Sequence, residues 1–240
     1  RTIFIDDYQA SAMAYFARNS LDAQTALVVV SDIDGSFNHI AEVFATEFQA
    51  LGGQTEMFPI AGSFARIFER YRDDPPDIVY FPANFDAAAE MINAAHAADL
   101  SDMHILGSDA WDGLLTYIVE PGAMRNVYYT SAFSFDDPDP AITQFVRRFL
   151  SYFSQMPLTA SATAYTCVFI LAEAIEKAGG TNADDIVSAM RTLEFDTIIG
   201  RIRFDENNNP RTSVYVIQIK DGVYSMYKKI SAQETGGEWD

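Results

Sequence analysis

The pattern of apolar and polar residues along the chain alternates between short apolar runs and longer stretches with helical spacing. The clearest example begins at Ala26, where five apolar residues lead into the polar turn 31–36. In the next stretch, apolar residues recur at helical spacing from Ile40 to Leu51. A β-branched run followed by a glycine turn and a helix is typical of a buried strand in a parallel sheet.

The same strand–loop–helix unit recurs as far as residue 131. Apolar runs alternate with helical patterns of the length that connects neighbouring parallel strands, which predicts an α/β fold with a doubly wound parallel sheet and right-handed crossovers. The predicted strands are 26–31, 54–60, 77–82, 103–107 and 126–131.

The pattern changes after the Pro/Asp-rich segment 135–140. Three helices are predicted, at 141–152, 161–178 and 183–193. The middle helix is apolar on nearly all sides, so it is expected to be deeply buried, with Cys167 as a small core residue. Alternation of period two then predicts antiparallel C-terminal strands. These strands are 199–204, 213–220 and 223–229, with a hairpin turn at Asp221 and Gly222, and the tail 231–240 is expected to be disordered.

Composition narrows the classes of protein that this chain can belong to. Of the 240 residues, 49% are hydrophobic, enough for a sizeable core. The 34 acidic and 16 basic residues give a net charge of −18, which argues against nucleic acid or an anionic membrane as partner. The single cysteine excludes an intrachain disulfide, and no apolar run is long enough to span a membrane. The chain opens without an initiator Met or a signal peptide and is interpreted as a processed or truncated product.

The loops that follow the predicted strands carry the candidate chemistry. Because the carboxyl ends of parallel strands meet at one edge of a sheet, ligands bind there. Carboxylates, an amide and aromatic rings at one edge suit a small cationic or zwitterionic ligand, with an ammonium paired to a carboxylate and a ring over the rest. In the alternative interpretation, the two rings only pack the loops. The candidate ligand-binding residues are Asp34, Gly35, Asn84, Phe85, Asp109 and Trp111.

A second interpretation makes the first loop catalytic. The sequence Asp32-Ile-Asp34-Gly-Ser after a buried strand looks like the first motif of haloacid-dehalogenase-type phosphatases, in which Asp32 would be the nucleophile and Asp34 the general acid with Mg²⁺. The downstream lysine and acidic pair of that family are missing, however. The three histidines lack metal-ligand spacing, and no cofactor motif is present, so no cofactor is expected.

Several blocks together resemble a known family. They are Thr25–Gly35 with its helix, Asp77–Asp109, the Ala-Tyr…Leu-Ala-Glu-Ala-Ile…Ala-Gly pattern ending at Gly179, and the Gly-Arg-Ile-Arg-Phe-Asp-x-Asn-x-x-Pro pattern ending at Pro210. Across nearly its whole length the chain resembles the type I periplasmic solute-binding proteins of the branched-chain amino acid class, which serve ABC transporters.

The resemblance implies two α/β lobes that close over an amino acid or a related small polar solute without catalysis. It implies a periplasmic or other extracytoplasmic location and an ABC permease as partner; a receptor domain that senses its ligand is the alternative use of the same fold. Residues 1–131 and 195–230 would form the second lobe, and residues 132–194 the helical remainder of the first.

Site residues follow from the resemblance one at a time. Asp109 matches the acidic residue that holds the ligand's α-amino group, and Asn84 or Phe85 matches an aromatic contact. Asp34 stands where many members have a tyrosine, which implies a more cationic ligand or loss of the usual one.

The resemblance also implies that the family's first βα units would precede residue 1. The chain would then hold half of a binding site and bind an amino acid weakly or not at all. It would also leave an apolar face of the helical remainder exposed, which predicts a homodimer through that face.

Overall fold

The computed structural model describes residues 1–31, 35–60, 62–100, 102–117, 120–231 and 234. The chain divides into two compact units. The α/β unit comprises Asp6–Ser131 and Val216–Lys228, and the helical unit comprises Arg1–Ile5, Ala132–Tyr215 and Lys229–Asp240. The tail expected to be disordered falls largely on residues 232–233 and 235–240, which lie outside the described residues.

Seven α-helices and ten strands make up the described part of the chain. The helices are α1 (Asp6–Asn19), α2 (Asn38–Ala50), α3 (Phe64–Arg70), α4 (Phe85–Ala97), α5 (Pro140–Phe153), α6 (Thr159–Ala178) and α7 (Ala183–Thr192). The strands are β1 (Thr25–Ser31), β2 (Gln54–Ile60), β3 (Ile78–Tyr80), β4 (His104–Gly107), β5 (Val127–Ser131), β6 (Glu194–Thr197), β7 (Gly200–Phe204), β8 (Pro210–Arg211), β9 (Val214–Lys220) and β10 (Val223–Ile230).

A seven-stranded sheet in the order β10-β9-β5-β4-β3-β1-β2 forms the centre of the α/β unit. Strand β1 pairs in parallel with β2 and β3, β3 with β4, and β4 with β5. Leu27, Val28 and Val29 are fully buried, as a central strand covered on both faces requires. The predicted parallel α/β fold is therefore confirmed, with its five parallel strands at the predicted positions.

The helical unit contains a sheet of its own. Strands β6, β7 and β8 form an antiparallel three-stranded sheet. The sequence analysis missed β6 and β8, which have only four and two residues. Buried side chains of this sheet share a core with α5 and α6, so 195–211 lies with the helices and differs from the expected boundary. That core contains Phe133, Ile142, Phe145, Val146, Ala162, Ile170, Phe195, Ile198, Ile199 and Ile202.

The expectation that the middle helix, α6, is deeply buried is wrong. The helix buries only Ala162, Thr166, Ile170 and Ala174, which lie four residues apart along one narrow stripe. Cys167 is exposed and is not a core residue. An apolar pattern on all sides indicates how much of a helix surface could be buried. It does not indicate how much of that surface the rest of this chain covers.

A carboxylate network closes one part of the helical unit. Asp137 accepts hydrogen bonds from the Tyr215 hydroxyl (2.8 Å) and the Asp139 amide (2.9 Å), and the Lys229 ammonium lies 3.4 Å away. Burial by itself would raise the pKa of Asp137, but these donors lower it overall. Asp137 is therefore ionised at neutral pH and, within the helical unit, links Tyr215 and Lys229 to the segment before α5.

A second carboxylate, Asp77, joins the starts of β1 and β3. Its Oδ2 accepts hydrogen bonds from the backbone amides of Gln24 (2.7 Å) and Thr25 (2.8 Å) and from the Thr25 hydroxyl (3.0 Å). Burial opposes ionisation, but these hydrogen bonds lower the pKa of Asp77 below its ordinary value. The bonds therefore stabilise the fold while Asp77 is ionised.

Replacement of Asp77 by alanine is expected to lower the free energy of unfolding by about 1–2 kcal/mol at neutral pH, since three donors lose a charged acceptor at an exposed position. Because the folded pKa is depressed, this contribution is present above the unfolded pKa of about 3.9 and disappears as the pH falls through the folded pKa. Urea titrations across this pH range test this. Asp73→Ala, an exposed acidic neighbour, is the control, and equal losses in both variants would contradict the expectation.

In the ranges that the structure describes, no helix combines the length and apolarity needed to cross a membrane.

Candidate functional site

Three of the predicted loops leave the same edge of the α/β unit. In the parallel sheet, β1, β3 and β4 all end at this edge. Gly35 opens a short 3₁₀ turn after β1, Asn84 is the N-cap residue of α4 after β3, and Asp109 opens a 3₁₀ turn after β4. The topology therefore brings these residues to one rim. Asp32 and Asp34, on which the phosphatase hypothesis and part of the ligand hypothesis depend, lie outside the described residues.

A small cavity of 170 Å³ lies between the loops after β1 and β3. Its volume is small compared with the 300–1,000 Å³ of typical ligand pockets. One apolar side chain of a ligand would fill it. The residues that line it are Val29, Phe37, Asn38, Phe81, Pro82, Ala83, Asn84, Asp86 and Ala87.

Asp109 is held in place by a glutamine that the sequence analysis did not identify. The Gln9 side chain, almost fully buried on α1, donates to Asp109 Oδ1 (3.1 Å) and accepts from the Asp109 amide (3.1 Å). The Gln9 side-chain amide also donates to Asp6 Oδ1 (3.2 Å) and accepts from the Thr130 hydroxyl (2.7 Å). These bonds fix the Asp109 carboxylate relative to α1 and β5.

The electrostatics of this corner favour a cation. Burial raises the pKa of the Asp109 carboxyl, and the nearby charge of Asp6 raises it further, while the hydrogen bond from Gln9 opposes the rise. Burial, followed by the charges of Asp109 and Asp6, also raises the pKa of Tyr80 well above its usual range. Burial is the largest cause of both shifts, and the neighbouring carboxylates add to them; a cation beside Asp6 and Asp109 would oppose the rise.

The aromatic residues at the rim are partly different from those predicted. Trp111 is completely buried, so its ring forms the floor of the loop. This differs from the expectation that the ring covers a ligand. Its indole lies directly over Gly107, where an added Cβ would be 2.2 Å from the ring. Phe85 is half-buried and packs at 4.9 Å between ring centroids against Tyr117, which the sequence analysis missed and which is 52% exposed. Phe85 and Tyr117 are thus the rings that face outward here.

Two polar atoms beneath the rim lack partners. Among the described residues, neither the Ser108 hydroxyl nor Trp111 Nε1 has a hydrogen-bond partner, although both are buried. In the same described part, no group of three His, Cys, Asp or Glu side chains is placed to hold a metal ion.

Loop ends gathered at the carboxyl edge of a parallel sheet, with a positioned carboxylate and outward rings, are typical of ligand sites in α/β proteins. The fold is that of the type I periplasmic binding proteins. The family model described as Periplasmic binding protein matches residues 1–223, and the chain belongs to this family. The family resemblance identified from the sequence is confirmed.

Solved structures with this fold include a leucine binding protein, LivK, from Thermotoga maritima, with a TM-score of 0.85, 24% identity and coverage of 98% of this chain and 68% of that chain. A solute binding protein of an ABC transporter from Rhodopseudomonas palustris, in complex with 3,4-dihydroxybenzoic acid, has a TM-score of 0.78, 20% identity, and coverage of 97% and 67%. LivJ from Streptococcus pneumoniae, in complex with isoleucine, has a TM-score of 0.77, 20% identity, and coverage of 94% and 64%.

This chain therefore spans about two thirds of the length of these structural relatives. No curated protein sequence matches it significantly.

Proposed function

We propose that this protein is the extracytoplasmic solute-binding component of an ABC-type uptake system and captures an amino acid or a related small polar solute without chemical conversion. The observation that carries the proposal is the Asp109 carboxylate, held by Gln9 at the same sheet edge that carries the Phe85–Tyr117 ring pair. Membership of the periplasmic binding protein family supports it. An ABC permease is the proposed partner that receives the solute.

The ligand would bind with its ammonium near Asp109 and its apolar part along the rim. The carboxylate is half-buried, so an ion pair there is screened less than one on the open surface. Phe85 and Tyr117 offer ring faces that suit an aliphatic or aromatic side chain. The 170 Å³ cavity next to Asn84 accommodates only a small group, which limits the ligand to about the size of an amino acid.

Binding to the 240-residue chain is expected to be weak, in the millimolar range, because a shallow rim buries only part of a small ligand. Amide NMR spectra titrated with leucine and isoleucine test this. At least one of these amino acids should shift the amides of Gly35, Asn84, Asp109 and Tyr117 together, whereas glucose, a neutral control, should not.

Two results would contradict these expectations. Micromolar affinity for an amino acid by calorimetry would refute the weak binding. Shifts that never reach the rim at saturating ligand would overturn the assignment of the site.

A further inference from the structure

The side chain of Gln9 forms four hydrogen bonds beside the candidate ligand carboxylate. Its Nε2 donates to Asp109 Oδ1 (3.1 Å) and to Asp6 Oδ1 (3.2 Å). Its Oε1 accepts from the Asp109 backbone amide (3.1 Å) and from the Thr130 hydroxyl (2.7 Å). A glutamine amide has two N–H donors and an oxygen with two acceptor sites, so the full capacity of this buried group is used. A side chain of the same shape without the NH₂ group would leave both carboxylates without this donor.

These four bonds join three elements of the α/β unit. Asp6 is the first residue of α1, and Thr130 lies one residue before the end of β5. The two positions lie at the ends of the segment Asp6–Ser131, which forms most of the unit. The Gln9 amide therefore connects the loop after β4, with its candidate ligand carboxylate, to both ends of this segment.

Two of the four bonds go to the same residue. The amide donates to the Asp109 carboxylate and accepts from the Asp109 backbone N–H, which closes a ring of hydrogen bonds between the two residues. Two contacts define the orientation of the carboxylate as well as its position. Asp109 is therefore preorganised before any ligand arrives, as an effective binding site requires.

The same amide also sets the spacing of two carboxylates. Because Asp6 Oδ1 and Asp109 Oδ1 both accept from Gln9 Nε2, the two oxygens lie within about 6 Å of each other. Burial raises the pKa of the Asp109 carboxyl, the hydrogen bond from Gln9 lowers it, and the charge of Asp6 raises it again. The titratable groups that interact here are Asp6 on α1, Asp109 after β4 and Tyr80 on β3. Gln9 thus favours the ionised form of Asp109 against burial and a like charge.

We infer that Gln9 is a positioning residue for the proposed ligand, whose buried amide orients Asp109 and couples the ligand contact there to Asp6 and Thr130. Gln9 is only 1% exposed, so it acts through Asp109 and not by touching the ligand itself. The ligand in this inference rests on the proposed function, whereas the orientation of Asp109 by Gln9 does not.

Carboxyl-carbon NMR of the ligand-free protein tests the effect of Gln9 on Asp109. Gln9→Leu and Gln9→Glu both remove the NH₂ donor, so the apparent pKa of the Asp109 carboxyl should rise by about one pH unit or more in each. The rise should be larger in Gln9→Glu, because a third carboxyl then joins Asp6 and Asp109. Gln49→Leu, at an exposed glutamine of α2, is the control and should leave the pKa of Asp109 unchanged.

The wild type provides a second measurement that needs no substitution. In a titration with leucine, the side-chain NH₂ resonances of Gln9 should shift with the same dissociation constant as the backbone amide of Asp109. The side-chain resonances of the exposed Gln49 should not move. In Gln9→Leu, leucine should bind at least tenfold more weakly, and the Thr130 amide should no longer respond to it.

A purely structural role of Gln9 would lower the stability of both variants and leave the pKa of Asp109 unchanged, and that result overturns the inference. It is also overturned if leucine shifts the Asp109 amide while the Gln9 side-chain resonances stay in place. Far-UV circular dichroism shows which variants fold; if Gln9→Leu does not, the isosteric Gln9→Glu and the wild type decide.

Failure of the proposed function gives a different result. In that case neither leucine nor isoleucine shifts any amide of the rim in the wild type. The pKa of Asp109 in the ligand-free variants then still decides whether Gln9 positions this carboxylate.

Discussion

Replacement of Gly107 by alanine is expected to destabilise the α/β unit by about 3 kcal/mol or more, in the range seen for overpacked cores and displaced aromatic residues. A Cβ at this position would lie 2.2 Å from the Trp111 indole, far inside van der Waals contact. The ring is completely buried, so it cannot move aside without leaving its site. Urea unfolding measures the loss, and the fluorescence of Trp111 should shift to longer wavelength.

The control for this prediction is Gly180→Ala, because an added Cβ there has no neighbour within 4 Å and the backbone is not left-handed. It should change the unfolding free energy by less than about 0.5 kcal/mol. In the double variant Gly107→Ala/Trp111→Leu the clash is gone, so the two losses should be less than additive. Full additivity would mean that the indole does not cause the destabilisation.

On the proposed function, with leucine as the test amino acid, replacement of Asp109 by asparagine is expected to weaken binding at least 30-fold, because a charged hydrogen-bonded pair of this kind contributes about 2 kcal/mol. The asparagine oxygen can still accept from Gln9, so the loop should keep its position. Amide NMR titration measures the affinity. Asp102→Asn, whose carboxylate is fully exposed beside Arg125, is the control and should bind leucine like the wild type.

Although Asp109→Asn should weaken ligand binding, it should not lower the stability of the fold. Because the folded pKa of Asp109 is raised, the ionised carboxylate costs stability at neutral pH; that cost begins to fall as the pH drops below the folded pKa and is gone below the unfolded pKa of about 3.9. Asp109→Asn should therefore be at least as stable as the wild type at pH 7. Leucine binding to the wild type should weaken over the same fall in pH and stay nearly flat in the variant. Equal affinity in both proteins would remove Asp109 from the site.

The parallel sheet could be predicted because a strand covered on both faces must be apolar throughout. The run from Leu27 to Val29 carries that signal, and the turn at Gly35 marks where the strand ends. The short strands β6 and β8 have no comparable run, and their place in the helical unit depends on long-range packing of Phe195 and Ile202. Sequence periodicity contains no information on such contacts.

The candidate site could be predicted only in part. The position of Asp109 follows from the end of β4, but its partner Gln9 required attention to α1, where Gln9, Met13 and Phe16 share one inward face. A polar residue on an apolar face was the signal. Nothing in the sequence distinguished the buried Trp111 from the exposed Tyr117, since both lie in irregular turns whose burial depends on the surrounding elements.

The α6 helix illustrates the same limit. Its apolar residues predicted burial, whereas the structure covers one stripe and leaves Val168 and Phe169 exposed. The apolar residues of a helix indicate that its surface tends to associate with other apolar surface, and that surface can belong to another molecule.

The hydrogen-bond ladder of β1, β3 and β4 is built from backbone groups, whereas the rim is built from the side chains that follow each strand. The two can therefore diversify separately. Solved structures with this fold include a leucine binding protein and complexes with isoleucine and with 3,4-dihydroxybenzoic acid. On the proposed function, replacing residues 84–86 and Tyr117 while the buried Trp111 is kept should therefore change ligand selectivity and retain the scaffold, which makes this rim a starting point for biosensor engineering.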